Sequence, residues 1–225
     1  MSRHLPTIIV ALILTTGCLL KETTETWYLS AAGAVTWVVT ESDVRSDAQA
    51  GIDRQNEEET YRLAVERQDH PVARGFRGLG VTDVRTVVLR RVVPFTVRTE
   101  AHGLTIDELG LRILQRSGLA GNSTLGREGN MWVWTFTARD PHAPDVAAAV
   151  DENVAALVED LDRLKVVMID GRFEAASGFE LSDDRRVATI KEPAGRGGAA
   201  GADDLSVTLR LTWASPATLS PSHRH

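Results

Sequence analysis

The stretch TTETWYLSAAGAVTWVVTE, residues Thr23–Glu41, is predicted to form a β-hairpin, and further hairpins are predicted later in the chain. Two runs rich in Thr, Val and Trp flank Ala31-Ala32-Gly33, a short loop whose glycine can adopt a left-handed conformation. A three-residue loop places Trp27 opposite Trp37. The apolar residues that then share their face are Leu29, Val35 and Val39. We therefore predict that this hairpin presents one aromatic, apolar face to a core.

Two more hairpins are predicted downstream. The segment Asp83–Ala101 is rich in Val and Thr, and Pro94 marks an edge, a bulge or the turn of a second hairpin, because proline cannot donate to a sheet ladder. Ser123–Gly126 is predicted to pair with Met131–Ala138. The second of these strands places three aromatic residues on one face at period two, namely Trp132, Trp134 and Phe136.

Helices are predicted between the hairpins. Ser46 with Gln49, and Thr105 with Glu108, have the spacing of capping boxes, and Pro71 can occupy a first helical position. The predicted helices run from Asp47 to about Asp69, from Pro71 to Leu79, and from Thr105 to about Ser117. The carboxylates of Glu57-Glu58-Glu59 point in different directions around the first helix, so we interpret them as a solvated face that cannot converge on one metal.

The last third of the chain is predicted to add one helix and several strands. Apolar residues recur at spacings of three and four from Asp145 to Leu164, which indicates an amphipathic helix across the sheet. Extended segments follow between Val166 and Ile190, and a final strand runs from Leu205 to Trp213. A flexible, Gly-rich loop is predicted for 191–204 and a polar tail for 216–225.

These elements predict a single α+β domain over residues 23–215. Its mainly antiparallel sheet is built from β-hairpins that alternate with helices, and the helices pack largely on one face. The order resembles repeated ββα units, although no residue-level repeat accompanies it.

The N-terminus has the layout of a secretory signal peptide. The basic start Met1–His4 precedes an apolar run, Leu5–Leu14, which is too short for a transmembrane span of about 20 residues. Thr16 and Gly17 before Cys18, in the sequence Thr15-Thr16-Gly17-Cys18, resemble the lipobox of bacterial lipoproteins, with Thr15 where Leu is usual. The resemblance implies cleavage after residue 17 and acyl chains on Cys18, a stable membrane anchor.

This resemblance predicts a signal peptide at 1–17, and a lipidated cysteine with a short tether at 18–22. Because the tether is short, the domain is expected to rest close to the lipid surface. Leu19 follows the cysteine where an Asp is the usual inner-membrane retention signal of Gram-negative lipoproteins. We therefore expect a place in the cell envelope, on the periplasmic face of the outer membrane if the source is Gram-negative.

The charge and the cysteine content of the chain indicate which partners and cofactors are not expected. Without residues 1–17 the chain has 24 basic and 31 acidic residues, a net charge of −7, which argues against nucleic acid as a partner. Cys18 is the single cysteine, so the sequence predicts no disulfide framework and no cysteine metal site. Arg90 and Arg91 form the densest basic spot of their region, either as solvated turn residues or as a contact with anionic headgroups.

Motifs for catalysis or metal binding are not recognised in the sequence. The chain has no Gly-x-Ser-x-Gly segment, and the glycines of 195–198 have no βαβ context for phosphate binding. His70, His102 and His142 stand singly beside turns, so we interpret each as a surface or capping residue. No metal or cofactor is predicted. Carboxylates cannot be paired from sequence, which leaves a hydrolase open.

Three functional hypotheses follow. The favoured one is a membrane-anchored envelope lipoprotein without enzymatic activity, acting through contacts with envelope proteins in a structural or assembly role. The alternative is a lipid- or amphiphile-binding module with a cavity of about 300 Å³ or more. A hydrolase using Asp, Glu or His is the third. The candidate pocket-lining residues are the aromatic side chains Trp132, Trp134, Phe136, Trp27 and Trp37, with core packing as the competing interpretation.

Overall fold

Eleven strands and three helices are formed by residues 19–139, 164–190 and 206–214, the part of the chain that the computed structural model describes. The strands are β1 (Leu19–Leu29), β2 (Ala34–Ser46), β3 (Asp83–Arg90), β4 (Phe95–Thr105), β5 (Ala120–Glu128), β6 (Met131–Arg139), β7 (Leu164–Met168), β8 (Phe173–Ser177), β9 (Phe179–Leu181), β10 (Val187–Ile190) and β11 (Ser206–Ala214). The helices are α1 (Gly51–Glu66), α2 (Pro71–Gly78) and α3 (Ile106–Ser117). The protein is therefore α+β.

The first predicted hairpin is confirmed, and it is longer than expected. Strands β1 and β2 pair antiparallel with Trp27 opposite Trp37. Gly33 takes a φ of +88° in the connection, as the loop requires. β1 begins at Leu19, which pairs with Ser46, so residues 19–22 belong to the sheet rather than forming a separate tether. The sheet thus begins directly after Cys18 in the sequence.

The strands form two sheets instead of the one predicted. Seven strands have the order β3-β4-β2-β1-β7-β10-β9, and four have the order β5-β6-β11-β8. All the described pairings are antiparallel except that of β1 with β7, which is parallel. The single-sheet prediction is wrong because β11 returns from far along the chain to pair with β6, and no local pattern specifies such a partner.

A glycine corner connects the two sheets. β8 pairs with β11 in the four-stranded sheet, and β9, which follows after Gly178, pairs with β10 in the seven-stranded sheet. Gly178 has a φ of +76°, and a Cβ there would lie 2.9 Å from the carbonyl oxygen of Thr208. Only glycine fits this close approach without strain, so the chain can pass from one sheet to the other at this point.

Helix α1 begins later than predicted, and the capping box proposed at Ser46 is wrong. Ser46 is the last residue of β2, and the side chains of Glu57 and Glu58 bind it from α1. Glu58 is buried and accepts the Ser46 amide at 3.2 Å. The Glu57–Glu59 run is therefore only partly a solvated face, since Glu59 alone is exposed and paired with Arg62.

The other two helices agree with the sequence prediction. α2 begins at Pro71 and buries Phe76, with Leu79 at its C-terminal end. α3 begins after Thr105, whose amide donates to Glu108 Oε2 at 3.1 Å, and Gly118 ends it in a left-handed conformation. These ends depend on neighbouring residues, which is why the sequence could predict them.

The hydrophobic core is divided into two parts. The larger part lies between the two sheets and the helices α2 and α3, where the rings of Trp27 and Trp134 approach to 6.2 Å between centroids. The smaller part lies beneath α1, where Tyr61 and Val65 pack on strands β2 and β4. Helices therefore cover the face of the seven-stranded sheet that carries Trp27, as predicted.

Several predictions concern residues outside the described part of the chain. They are the signal peptide at 1–17, the lipidation of Cys18, His142, most of the amphipathic helix at 145–164, the loop at 191–204 and the tail at 216–225. These stay predictions.

Candidate functional site

A pocket of about 470 Å³ lies between the hairpin β1–β2 and the helices α2 and α3. Strand side chains alternate between the two faces of a sheet, so every second residue of β1 and of β2 faces the pocket. Its lining consists of Lys21, Thr23, Glu25 and Trp27 from β1, Trp37, Val39 and Glu41 from β2, Pro71, Val72, Gly75 and Phe76 from α2 with Leu79 after it, Ile113 and Ser117 from α3, and Leu164 from β7.

One end of the pocket is aromatic. Trp27 and Trp37 meet edge to face with 5.8 Å between ring centroids, and Phe76 of α2 approaches Trp37 to 4.9 Å in the same manner. Such geometry is favoured because the positive edge of one ring meets the negative face of the other. The structure thus brings together two of the predicted pocket residues, Trp27 and Trp37, and adds Phe76 from α2.

The indole N–H of Trp27 is a buried hydrogen-bond donor without an acceptor among the described residues. Trp27 is 2% exposed. Trp37 donates to Glu25 at 3.2 Å, Trp134 to Ser123 at 3.0 Å, and Trp213 to the carbonyl oxygen of Ala31 at 3.0 Å. Burying a donor without an acceptor costs free energy, so this indole is held in place by packing and not by a hydrogen bond.

The other end of the pocket is polar and centred on Glu41. The carboxylate is 1% exposed; Oε1 binds the ammonium group of Lys21, and Oε2 accepts the Tyr61 hydroxyl at 2.9 Å. The Lys21 side chain is 33% exposed and therefore connects the buried carboxylate with solvent. Burial of Tyr61 and the nearby Glu41 charge both raise the pKa of its phenol far above the usual range, so Tyr61 remains a donor.

His70 lies behind this polar end. Of the two alternatives predicted for it, a surface or a capping residue, the surface position is wrong. Although it occupies the N-cap position of α2, its side chain is completely buried. Its Nε2 lies 3.0 Å from Thr99 Oγ1 and 3.6 Å from Glu41 Oε2. The neighbouring Pro71 suggested an exposed turn, but α1 and the seven-stranded sheet cover this turn.

The position of His70 predicts a specific loss of stability in acid. Burial, the largest cause, lowers the pKa of His70; Glu41 raises it, and Lys21, Arg74 and Arg77 lower it. Because the folded pKa lies below the unfolded value of about 6.5, the unfolded state takes up a proton first as pH falls. The His70 contribution is therefore present above pH 6.5 and is lost towards the folded pKa.

We expect the change in unfolding free energy between pH 7.5 and pH 5.5, measured in urea, to become smaller in His70→Gln. His102→Gln is the control, because His102 is partly exposed and bonded to Thr36 and Glu100 at the sheet surface. Equal pH dependence in the two variants would contradict a buried neutral His70.

The other predicted aromatic residues lie outside the pocket. Trp134 and Phe136 are buried in the core, with their ring centroids 5.9 Å apart. Trp132 is only partly buried, and the Arg127 guanidinium lies 4.4 Å above its ring. The three aromatic residues do share one face of β6, as predicted. Packing between the two sheets buries Trp134 and Phe136 in the core and leaves Trp132 at its edge. Cys18, the predicted lipidation site, lies outside the described residues.

Within residues 19–139, 164–190 and 206–214, no group of three or more His, Cys, Asp or Glu side chains is arranged to hold a metal ion. No helix in the same ranges has the length and apolarity to span a bilayer.

Comparison with known proteins gives limited information. No family model matches the sequence, and no curated protein matches it. Among solved structures, the NMR structure of the folded domain of the Mycobacterium tuberculosis LppM protein is similar to 88% of this chain and 91% of that chain. The sequence identity is 10% and the TM-score 0.36, and a likeness at this level carries no argument about function.

Proposed function

We propose that the protein binds an amphiphile in the pocket between β1–β2 and the helices α2 and α3, as a lipid-anchored protein of the bacterial envelope. The pocket volume of about 470 Å³ carries this proposal, because ligand sites of proteins occupy about 300–1,000 Å³. Its lining is mostly aromatic and aliphatic, with polar groups concentrated at the Lys21 end. An amphiphile, with an apolar chain and one polar head, has the same arrangement of apolar and polar groups as this lining.

The pocket also suggests how the ligand lies. The apolar chain would pack against Trp27, Trp37 and Phe76, where it gains roughly 25 cal/mol for each Å² removed from water. The polar head would lie at Lys21, whose ammonium group is partly exposed and bound to Glu41. Lys21 is three residues after Cys18 in the sequence, so this end would face the membrane if Cys18 is acylated as predicted.

A pair of tryptophan substitutions tests the proposal. Thr23 lines the pocket, whereas Thr24 points to the opposite face of the sheet and is exposed. Thr23→Trp fills the cavity without removing a core side chain, and aromatic residues are well tolerated in strands. We expect Thr23→Trp to lower amphiphile binding at least about tenfold, since loss of only about 1.4 kcal/mol has that effect. Thr24→Trp should bind like the unaltered protein.

The measurement uses the full chain in isolated bacterial membranes with a photoactivatable fatty acid. After illumination, peptide mass spectrometry locates and quantifies the adducts. The expected result is labelling of pocket-lining peptides of β1 and β2 in the unaltered chain and in Thr24→Trp. Equal pocket labelling in Thr23→Trp, with an unchanged melting temperature, would disprove binding in this cavity.

The hydrolase alternative has one observation in its favour, the convergence of Glu41, Tyr61 and His70. However, His70 is fully buried and both oxygens of Glu41 are occupied, so a substrate in the pocket would not reach them without rearrangement. The cluster is better explained as structural, because Glu41 binds the ammonium group of Lys21 and His70 holds the start of α2 against the sheet. A role through contacts with envelope proteins stays a prediction from the sequence.

A further inference from the structure

The connection between β3 and β4 exposes an apolar surface. We define the β3–β4 tip as residues Leu89–Val93, which end β3 and form its turn. Leu89 is 58% exposed, Val92 65% and Val93 44%. Three large aliphatic side chains so close together at a turn are unfavourable in water, because each leaves apolar area hydrated.

The same tip is basic. Arg90 and Arg91 separate the aliphatic residues, and the segment from Val84 to Thr99 has no acidic residue at all. In the described part of the chain, no carboxylate forms an ion pair with Arg90 or Arg91. Aliphatic side chains flanked by unpaired cations match the interface of a bilayer, where acyl chains lie beneath charged phosphates.

The strand register places the tip at the end of the sheet where the chain enters it. Leu19 pairs with Ser46 at the start of β1, and Val44 pairs with Phe95 at the start of β4. Phe95 follows the tip directly. Because β1 and β4 are separated only by β2, about 10 Å lies between them. The described chain therefore begins at Leu19, in the sheet beside the tip.

Further residues at this end have compatible properties. Leu20 is 46% exposed. Asp43 is an acidic residue here, and its carboxylate lies 3.4 Å from the Arg45 guanidinium. The nearby Glu41 carboxylate is buried beneath Lys21. These two carboxylates are thus partly neutralised, whereas Glu22, opposite Ser42, is exposed and adds a negative charge at this end. The positive charge of the tip therefore acts locally, on an anionic surface within a Debye length of about 8 Å.

We propose that the β3–β4 tip is a membrane-contact surface, with Leu89, Val92 and Val93 inserted at the interface of an anionic bilayer and Arg90 and Arg91 at its phosphates. This inference does not rest on the pocket. It assigns the orientation of the domain, with the start of β1 and the polar end of the pocket facing the lipid.

The depth of single labels in vesicles tests this orientation. In the full chain with Cys18→Ser, a fluorophore is attached at Val92→Cys or, as a control, at Ala32→Cys. Ala32 is exposed in the β1–β2 turn, at the opposite end of strands roughly 35 Å long. Both chains keep the same N-terminal apolar run. With brominated lipids in phosphatidylcholine–phosphatidylglycerol vesicles, we expect several-fold stronger quenching at position 92 than at position 32.

Charge reversal then tests the arginines. The variant Arg90→Glu with Arg91→Glu should reduce the quenched population at position 92 at least about 25-fold. Loss of each arginine near an anionic surface accounts for about fivefold, and the added glutamates repel that surface further. The control is Arg172→Glu with Arg185→Glu, two arginines beside Glu174 at the other end of the sheet. This control should leave the quenching unchanged.

Three results would overturn the proposal. The first is equal quenching at positions 92 and 32, and the second is quenching that does not depend on the anionic lipid or on Arg90 and Arg91. The third is self-quenching between fluorophores at position 92 of two chains, with no quenching by the brominated lipids. Because β3 is an edge strand, that result would identify a second copy of this chain as the partner of the tip.

Discussion

Replacing Glu41 with alanine is expected to lower the free energy of unfolding by about 3 kcal/mol, the largest single effect that the structure predicts. Glu41 is almost completely buried, and it accepts the hydroxyl of Tyr61 and binds Lys21. Its removal leaves a buried phenol without an acceptor and opens a cavity beside His70. For a chain of this size the melting temperature should fall by about 6–12 °C.

The matched control is Glu22→Ala on the same hairpin. Glu22 is exposed, and its loss should change stability by no more than about 0.5 kcal/mol. Glu41→Gln keeps an acceptor for Tyr61 and should lie between the two. Urea unfolding of the three variants measures the series. A Glu41→Ala variant as stable as Glu22→Ala would mean that the Glu41 network does not hold the polar end of the pocket together.

Gly110→Ala is the second large expected effect. Gly110 lies in the middle of α3, where the helix approaches β5 and β6 closely. A Cβ there would be 2.7 Å from the Ser123 Cβ and 3.1 Å from the Phe136 ring, and closer still to the Ser123 hydroxyl that Trp134 binds. The helix must move outward, which we expect to cost about 2 kcal/mol after the gain in helix propensity.

Gly78→Ala provides the matched comparison for Gly110→Ala. Gly78 is the last residue of α2, and a Cβ there meets nothing within 4 Å. The same substitution should therefore be neutral or stabilising by up to about 1 kcal/mol. Thermal unfolding distinguishes the two variants by the sign of the shift. A loss of stability in both would show that the close approach of α3 to the sheet is not the cause.

The effect of Gly110→Ala also reaches the pocket. Ile113 and Ser117 of α3 line it, so a movement of the helix away from β5 and β6 would change the shape of the pocket. Fatty-acid labelling of pocket peptides in Gly110→Ala should change, whereas quenching at position 92 in vesicles should not. The two proposals are thus separable, because one depends on the interior of the domain and the other on an exposed turn.

Local elements of this protein were accessible from the sequence. The register of Trp27 with Trp37 and the ends of α3 at Thr105 and Gly118 were predicted correctly, and the turn at Pro94 was one of the three alternatives predicted there. Each depends on residues only a few positions apart. Alternation of side chains, capping and proline geometry act over that distance, so they can be read from sequence alone.

Sequence reading failed where distant segments meet. His70 was expected to be a surface or capping residue and Ser46 to start a helix, yet His70 is buried and Ser46 ends a strand that α1 binds. The convergence joins Glu41 to Tyr61, 20 positions away, and to His70, 29 positions away. Only a buried glutamate within a Val-rich strand could have suggested it, since an ion buried in such a strand needs partners.

The sequence by itself determined the first hairpin, both ends of α3 and the α+β class, whereas the anchor before Leu19 stays a prediction. Tertiary structure alone decided that the strands form two sheets, that Trp134 and Phe136 become core while Trp27 and Trp37 line a pocket, and that the β3–β4 tip lies beside the start of β1. The physical reason is that local geometry depends on neighbouring residues, whereas burial depends on which distant surfaces exclude water together.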